Sequence, residues 1–269
     1  MTSTAQAPRI TPPRITPARV ANSEWIKLRS LRSTVWLLAA SVAAVVGLGL
    51  LFAVVALLHL EAGNGLGSVN PAMISLYGVY LAQLTYGVLG VLLITGEYAT
   101  GMIRATLTAV PARLPVLWAK LAAFAAVAVV TAVAALLVSM LAGQAILSAK
   151  HSGASLADPG VLRAMIGAGL YLTVTGLLGI ALGFIVRSSA GAIVTLFGIM
   201  LVLPVLGDVL PSSIASHIVP YLPSNAGMAV MQVHPGAGTL APWAGFALFV
   251  GYTAAAVVAA ALLLRRRDA

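Results

Sequence analysis

A chain of 269 residues that is 61% apolar and only 8% charged lacks the polar side chains to cover a water-soluble globule. The net charge of +9 would suggest a nucleic-acid partner in a soluble protein, but the basic residues here punctuate the ends of apolar runs, and nucleic acid is set aside as a partner. There is no cysteine, which excludes disulfides, thiolate zinc sites and thiol nucleophiles.

In hydrocarbon each backbone amide must be satisfied within its own segment, and the apolar runs lack the two-residue alternation of barrel strands. They therefore predict an all-α membrane protein with six transmembrane helices. Residues 1–21 hold Pro8, Pro12, Pro13 and Pro17 around the echo RITPPRITP, and read as a disordered tail. Residues 22–33 read as an interfacial helix. There Trp25, Leu28 and Leu31 recur every three residues among Lys27, Arg29 and Arg32, whose long side chains can snorkel to headgroups. Residues 34–267 then form one six-helix domain, with spans expected at 35–60, 72–95, 117–147, 162–186, 190–210 and 241–264. The first run is too long for a signal-peptide core and reads as a retained anchor. Pro204 predicts a kink in the fifth span.

Charge placement orients these helices. Arg9, Arg14, Arg19, Lys27, Arg29 and Arg32 precede the first span, and Arg104, Arg113 and Lys120 lie by the second connection. Arg187 marks the fourth connection, and Arg265, Arg266 and Arg267 follow the last span. With six alternating helices all of these share one side, against Lys150 and Arg163 on the other, so both termini are expected in the cytoplasm. Trp25, Trp36, Trp118 and Trp243 all fall beside expected membrane boundaries.

Chemistry is sparse. Lys27, Lys120 and Lys150 each lack the Gly-Lys-Ser/Thr context of a phosphate-binding loop, so no ATP or other cofactor is expected on this chain, and no catalysis. His59, His151, His217 and His234 are too scattered to predict a metal site, and HSGAS at 151–155 sits in a polar loop rather than on a rigid element. The span interiors carry no ionisable group, which argues against ion-coupled transport. Tyr77, Tyr80 and Gln83 are successive neighbours on one side of the second span. They fit either a path for an amphipathic substrate or hydrogen bonding to a neighbouring helix. Two small-residue stripes, Ala39–Ala43–Gly47 and Thr175–Gly179–Gly183, fit either a packing seam or mere abundance of small residues.

The second connection reads GEYATGMIRATLTAVPARLPVLWAK. Glu97 opens it, where the positive end of a helix dipole would favour a carboxylate, Gly101 offers a bend, and Pro111 and Pro115 close it. Ile103, Leu107, Val110 and Leu114 recur at helical spacing with Arg104 between them, predicting a short amphipathic helix that either rests on lipid or docks a partner.

Together with SEWIKLRSLRSTVW before the first span, this connection resembles the permease subunits of ABC type-2 exporters, over roughly residues 22–267. The resemblance implies that Ser23–Ser33 corresponds to a connecting helix and that Glu97, Gly101, Arg104 and Leu107 belong to a coupling helix seated on a separate ABC ATPase subunit. It implies that Asp208–Leu240, with Pro211, Pro220, Pro223 and Pro235, forms an external re-entrant cap. It further implies a second permease protomer, identical or not, ATP and magnesium on the ATPase, a bacterial inner-membrane location, and export of a hydrophobic or amphipathic drug, antibiotic, lipid or peptide. The readings that compete with it are a stand-alone secondary transporter or channel, and a non-conducting anchor for a cytoplasmic partner.

Overall fold

Segments rich in alanine, valine and leucine, with no polar alternation, have one way to satisfy their amides without water, and all of them fold as helices. The computed structural model describes residues 17–30, 32–63, 65–66, 69–110, 113–236 and 238–266, and among these there is no strand. Helix α1 (Pro17–Ser30) leads into α2 (Arg32–Glu61), followed by α3 (Pro71–Leu76), α4 (Val79–Ala99) and the short α5 (Met102–Ala109). Then come α6 (Leu114–Ser148), α7 (Val161–Val186), α8 (Ser189–Phe197), α9 (Leu203–Asp208), α10 (Ser212–Ile218), α11 (Pro223–Met228) and α12 (Pro242–Arg266). Six stretches are long and apolar enough to cross a membrane: Arg32–Glu61, Pro71–Ala99, Leu114–Ser148, Val161–Val186, Ser189–Asp208 and Pro242–Arg266. Each matches an expected span to within a few residues.

Three local features depart from unbroken helices. The second span is tightened at Tyr77–Gly78, where Tyr77 N–H donates to the Ile74 carbonyl three residues back. At Gly78 the α2 backbone passes so close that any side chain would overlap Val45. The fifth span widens into a π-helical turn at Gly198–Val202, and Leu203 N–H reaches back five residues to the Gly198 carbonyl. The widened turn comes just before Pro204, which has no N–H to offer, so the irregularity expected there takes this form. Helix α1 begins at Pro17, inside the segment read as a disordered tail, and proline suits a first helical position because the N–H it lacks would be unpaired anyway. Residues 1–16 and Leu31 lie outside the described residues, as does the side chain of Leu28.

The core is built on the α4–α7 contact. A side-chain carbon at Gly90 would overlap the Gly176 carbonyl, and one at Gly179 would overlap the Gly87 carbonyl. A methyl added at Gly183 would lie 3.2 Å from both Val91 O and Ile94 Cβ. The Thr175–Gly179–Gly183 stripe is therefore a seam where two backbones touch, held by dispersion because lipid supplies no hydrophobic drive. Ala39, Ala43 and Gly47 of α2 are exposed instead; Ala39 and Ala43 border an open apolar groove beside α6, and a methyl at Gly47 would meet nothing within 4 Å.

Long-range polar contacts tie the helix ends together. At the end rich in basic residues (the basic end), Arg113 Nη1 donates to the Leu264 carbonyl at 3.1 Å, and the Arg187 guanidinium lies 5.3 Å from the centre of the Tyr98 ring. At the opposite end, Gln144 Nε2 donates to Pro71 O and Ser75 Oγ at 2.9 Å, and its Oε1 accepts from Ala154 N at 2.7 Å. Arg163 there donates to the carbonyls of Gln232 and Val233. Trp25, Trp36 and Trp118 are exposed at the basic end and Trp243 at the other.

Candidate functional site

Helix α1 inverts the usual surface pattern. Its inward positions, Val20, Glu24 and Lys27, run along one face and carry two charges, while Trp25 and Ile26 point outwards. Glu24 is buried against α6, where the seventh residue is Lys120, only 1% exposed. The third element is the last turn of α4, which supplies Glu97, 7% exposed.

These four side chains are joined in one network. Lys27 Nζ donates to Glu24 Oε1 at 2.8 Å and to Glu97 Oε1 at 3.0 Å. Lys120 Nζ donates to Glu97 Oε1 at 2.7 Å and to Glu24 Oε2. Two carboxylates and two ammonium groups balance, which makes burial tolerable where an unpaired ion would cost several kcal/mol (about 3–5). Glu97 Oε2 is also buried and makes no hydrogen bond among the described residues. The network joins α1, α4 and α6 across sequence separations of 70 and 96 residues.

The position of Glu97 corrects an expectation. It belongs to α4 rather than to the short helix, and it lies at the negative, C-terminal end of the α4 dipole instead of at a positive end. Its charged partners are the two lysines rather than a helix dipole. Burial pushes the Lys27 pKa down, but the hydrogen bond and charge of Glu24, followed by those of Glu97, outweigh it and raise the pKa above the ordinary lysine value. The sign follows: this stabilisation is complete below the unfolded lysine pKa of about 10.4 and is lost as pH rises through the higher folded value. Thermal unfolding of the purified chain should therefore show a contribution from Lys27 that is constant from neutral pH to about 10 and declines above it. In Lys27→Met that alkaline decline should shrink, and an identical alkaline profile in both proteins would contradict the assignment.

Helix α5 hangs from this cluster. Thr100 ends α4, and Gly101 takes a left-handed φ of 71°, which a glycine adopts without strain, turning the chain into Met102–Ala109. Ile103 and Leu107, four residues apart, are buried against the body, whereas Met102 and Arg104 are exposed. Of the four residues expected to contact a partner, Gly101 and Arg104 are at the surface, while Glu97 and Leu107 point inwards.

The second-span trio divides. Gln83 is buried, with Nε2 donating to Tyr80 O at 3.0 Å and Oε1 accepting from the Tyr171 hydroxyl, so it bonds a neighbouring helix. Tyr77 sets its ring edge-on to Phe52, 5.1 Å between centroids. Tyr80 is 49% exposed and opens onto a cavity of about 600 Å³ at the opposite end.

Glu24 and Lys120 escaped the sequence reading. A signal was present: of the six acidic residues, only Glu24, Glu97 and Asp268 lie on the side that holds nearly all the lysine and arginine. Among the described residues no three histidine or carboxylate side chains gather as a metal site would require. No protein-family model matches this chain, and no curated protein matches it.

Proposed function

We propose that the chain is the permease subunit of an ABC type-2 exporter, with both termini in the cytoplasm and a separate ATPase docked on α5. The observation that carries this reading is the four-charge cluster at the end of α4, the helix from which α5 follows. A push on a surface helix does work only if it is transmitted. Ile103 and Leu107 clamp α5 to the body, and Glu97, five residues before its start at Met102, is locked to α1 and α6 through Lys27 and Lys120. A displacement of α5 therefore loads three helices together. Helix α1 then acts as the interfacial connecting helix, with Trp25 and Ile26 turned to lipid. The ATPase binds ATP and magnesium, and a second permease protomer completes the path for a hydrophobic or amphipathic compound. The chain from Asp208 to Leu240 caps the external exit.

Arg104 gives the cleanest test, because it is exposed and forms no part of the buried cluster. Arg104→Glu should leave the thermal midpoint unchanged, yet lower about tenfold the amount of ATP-binding-cassette protein that copurifies with the chain from its native membrane. Equal copurification with wild type and variant, or none with either, would remove the basis for a docked motor.

A further inference from the structure

The cavity of about 600 Å³ lies at the end away from the charge cluster, between Tyr80 of α4, Asp208 at the close of the fifth span, and the folded-over segment that follows. Its volume is that of a site for a drug-sized molecule. Tyr80 lies nine residues after Pro71, so about 14 Å along the second span from its start, and the cavity reaches from that depth to the span end where Asp208 is exposed. Its walls mix apolar groups such as Val219 and Met228 with the amides of Asn225 and Gln232.

The electrostatics are one-sided. From Ser188 to Leu264 the sequence contains no lysine or arginine and a single acid, Asp208, beside the histidines His217 and His234. Asp208 makes no ion pair among the described residues. It also terminates a helix, where outward-facing carbonyls add further negative potential. Arg163 is not in the lining, and its guanidinium is directed at the carbonyls of Gln232 and Val233. His217, adjacent to the lining residue Ser216, has Nδ1 within 3.0 Å of Ser213 O and 3.1 Å of Ser216 Oγ, so that nitrogen is taken up locally. A carboxylate without a counter-ion, an open tyrosine ring and apolar walls favour one chemistry.

We infer that this cavity binds lipophilic organic cations of drug size, with the positive centre held between Asp208 and the face of Tyr80. As a statement about cargo this rests on the export reading and narrows it to cationic amphiphiles. As a statement about binding it needs no ATPase, which separates the two in experiment.

The test uses tetraphenylphosphonium and tetraphenylborate, which share a shape and differ in the sign of their charge, titrated into the purified full chain in nanodiscs of zwitterionic lipid, with empty nanodiscs subtracted. Tetraphenylphosphonium should bind wild type, and Asp208→Asn should weaken that binding about tenfold. Glu61→Gln, which changes an exposed acid outside the cavity lining, should bind as wild type does. Tetraphenylborate should show no saturable binding. Equal affinity of wild type and Asp208→Asn, an equal loss in Glu61→Gln, or binding of the anion as tight as that of the cation would each overturn the proposal. Any of those results would leave the copurification test of the export reading untouched.

Discussion

Lys120→Met should lower the stability of the purified chain by about 3–5 kcal/mol, because it leaves Glu24 and Glu97 buried with only Lys27 to balance them. The methylene stem of lysine is nearly matched in volume by methionine, so a packing defect contributes little to that loss. A second substitution separates charge from shape. In Lys120→Met/Glu97→Gln the remaining Glu24 and Lys27 are neutral as a pair, and the double variant should regain roughly 1–3 kcal/mol over the single one. Unfolding in mixed detergent micelles would measure both. A single variant that loses less than about 1 kcal/mol would mean that the cluster is solvated rather than buried.

The α4–α7 seam carries the second large effect. Gly90→Ala places a carbon against the Gly176 carbonyl, and because both partners are backbone neither can swing aside. The helices must separate, at a cost of about 2–3 kcal/mol or more, and the melting temperature should drop accordingly. Gly47→Ala adds the same methyl to a helix position with nothing within 4 Å, so it should be neutral or stabilising by up to about 1 kcal/mol. Comparable melting temperatures for the two variants would show that α4 and α7 do not touch as described.

How much of this was legible depended on the range of the interaction. The six spans were readable because hydrocarbon rewards a purely local property, an unbroken apolar run of sufficient length, and the observed helices end within a few residues of expectation. The Thr175–Gly179–Gly183 stripe was readable as a candidate seam, but its partner glycines Gly87 and Gly90 were not, since nothing local distinguishes them from the outward-facing Gly47. Helical spacing places Ile103 and Leu107 on one face and Arg104 on the other, but which face meets the body is decided by packing, and packing buries Leu107. The trio Tyr77, Tyr80 and Gln83 shared a side only on an assumed continuous helix. The tightened turn at Tyr77–Gly78 and the reach of Tyr171 sort them into three environments. Glu24 and Lys120 lie 96 residues apart, and their pairing arises only when α1 lies along α6, which no local pattern specifies.

Because the sequence contains no cysteine, any introduced cysteine is the sole thiol. Met102 is exposed at the start of α5, so Met102→Cys should react with a membrane-impermeant maleimide in inside-out vesicles and stay unlabelled in intact cells. Labelling in intact cells would place α5 on the outer face, beyond the reach of any ATP-driven partner, and the proposed coupling would be wrong.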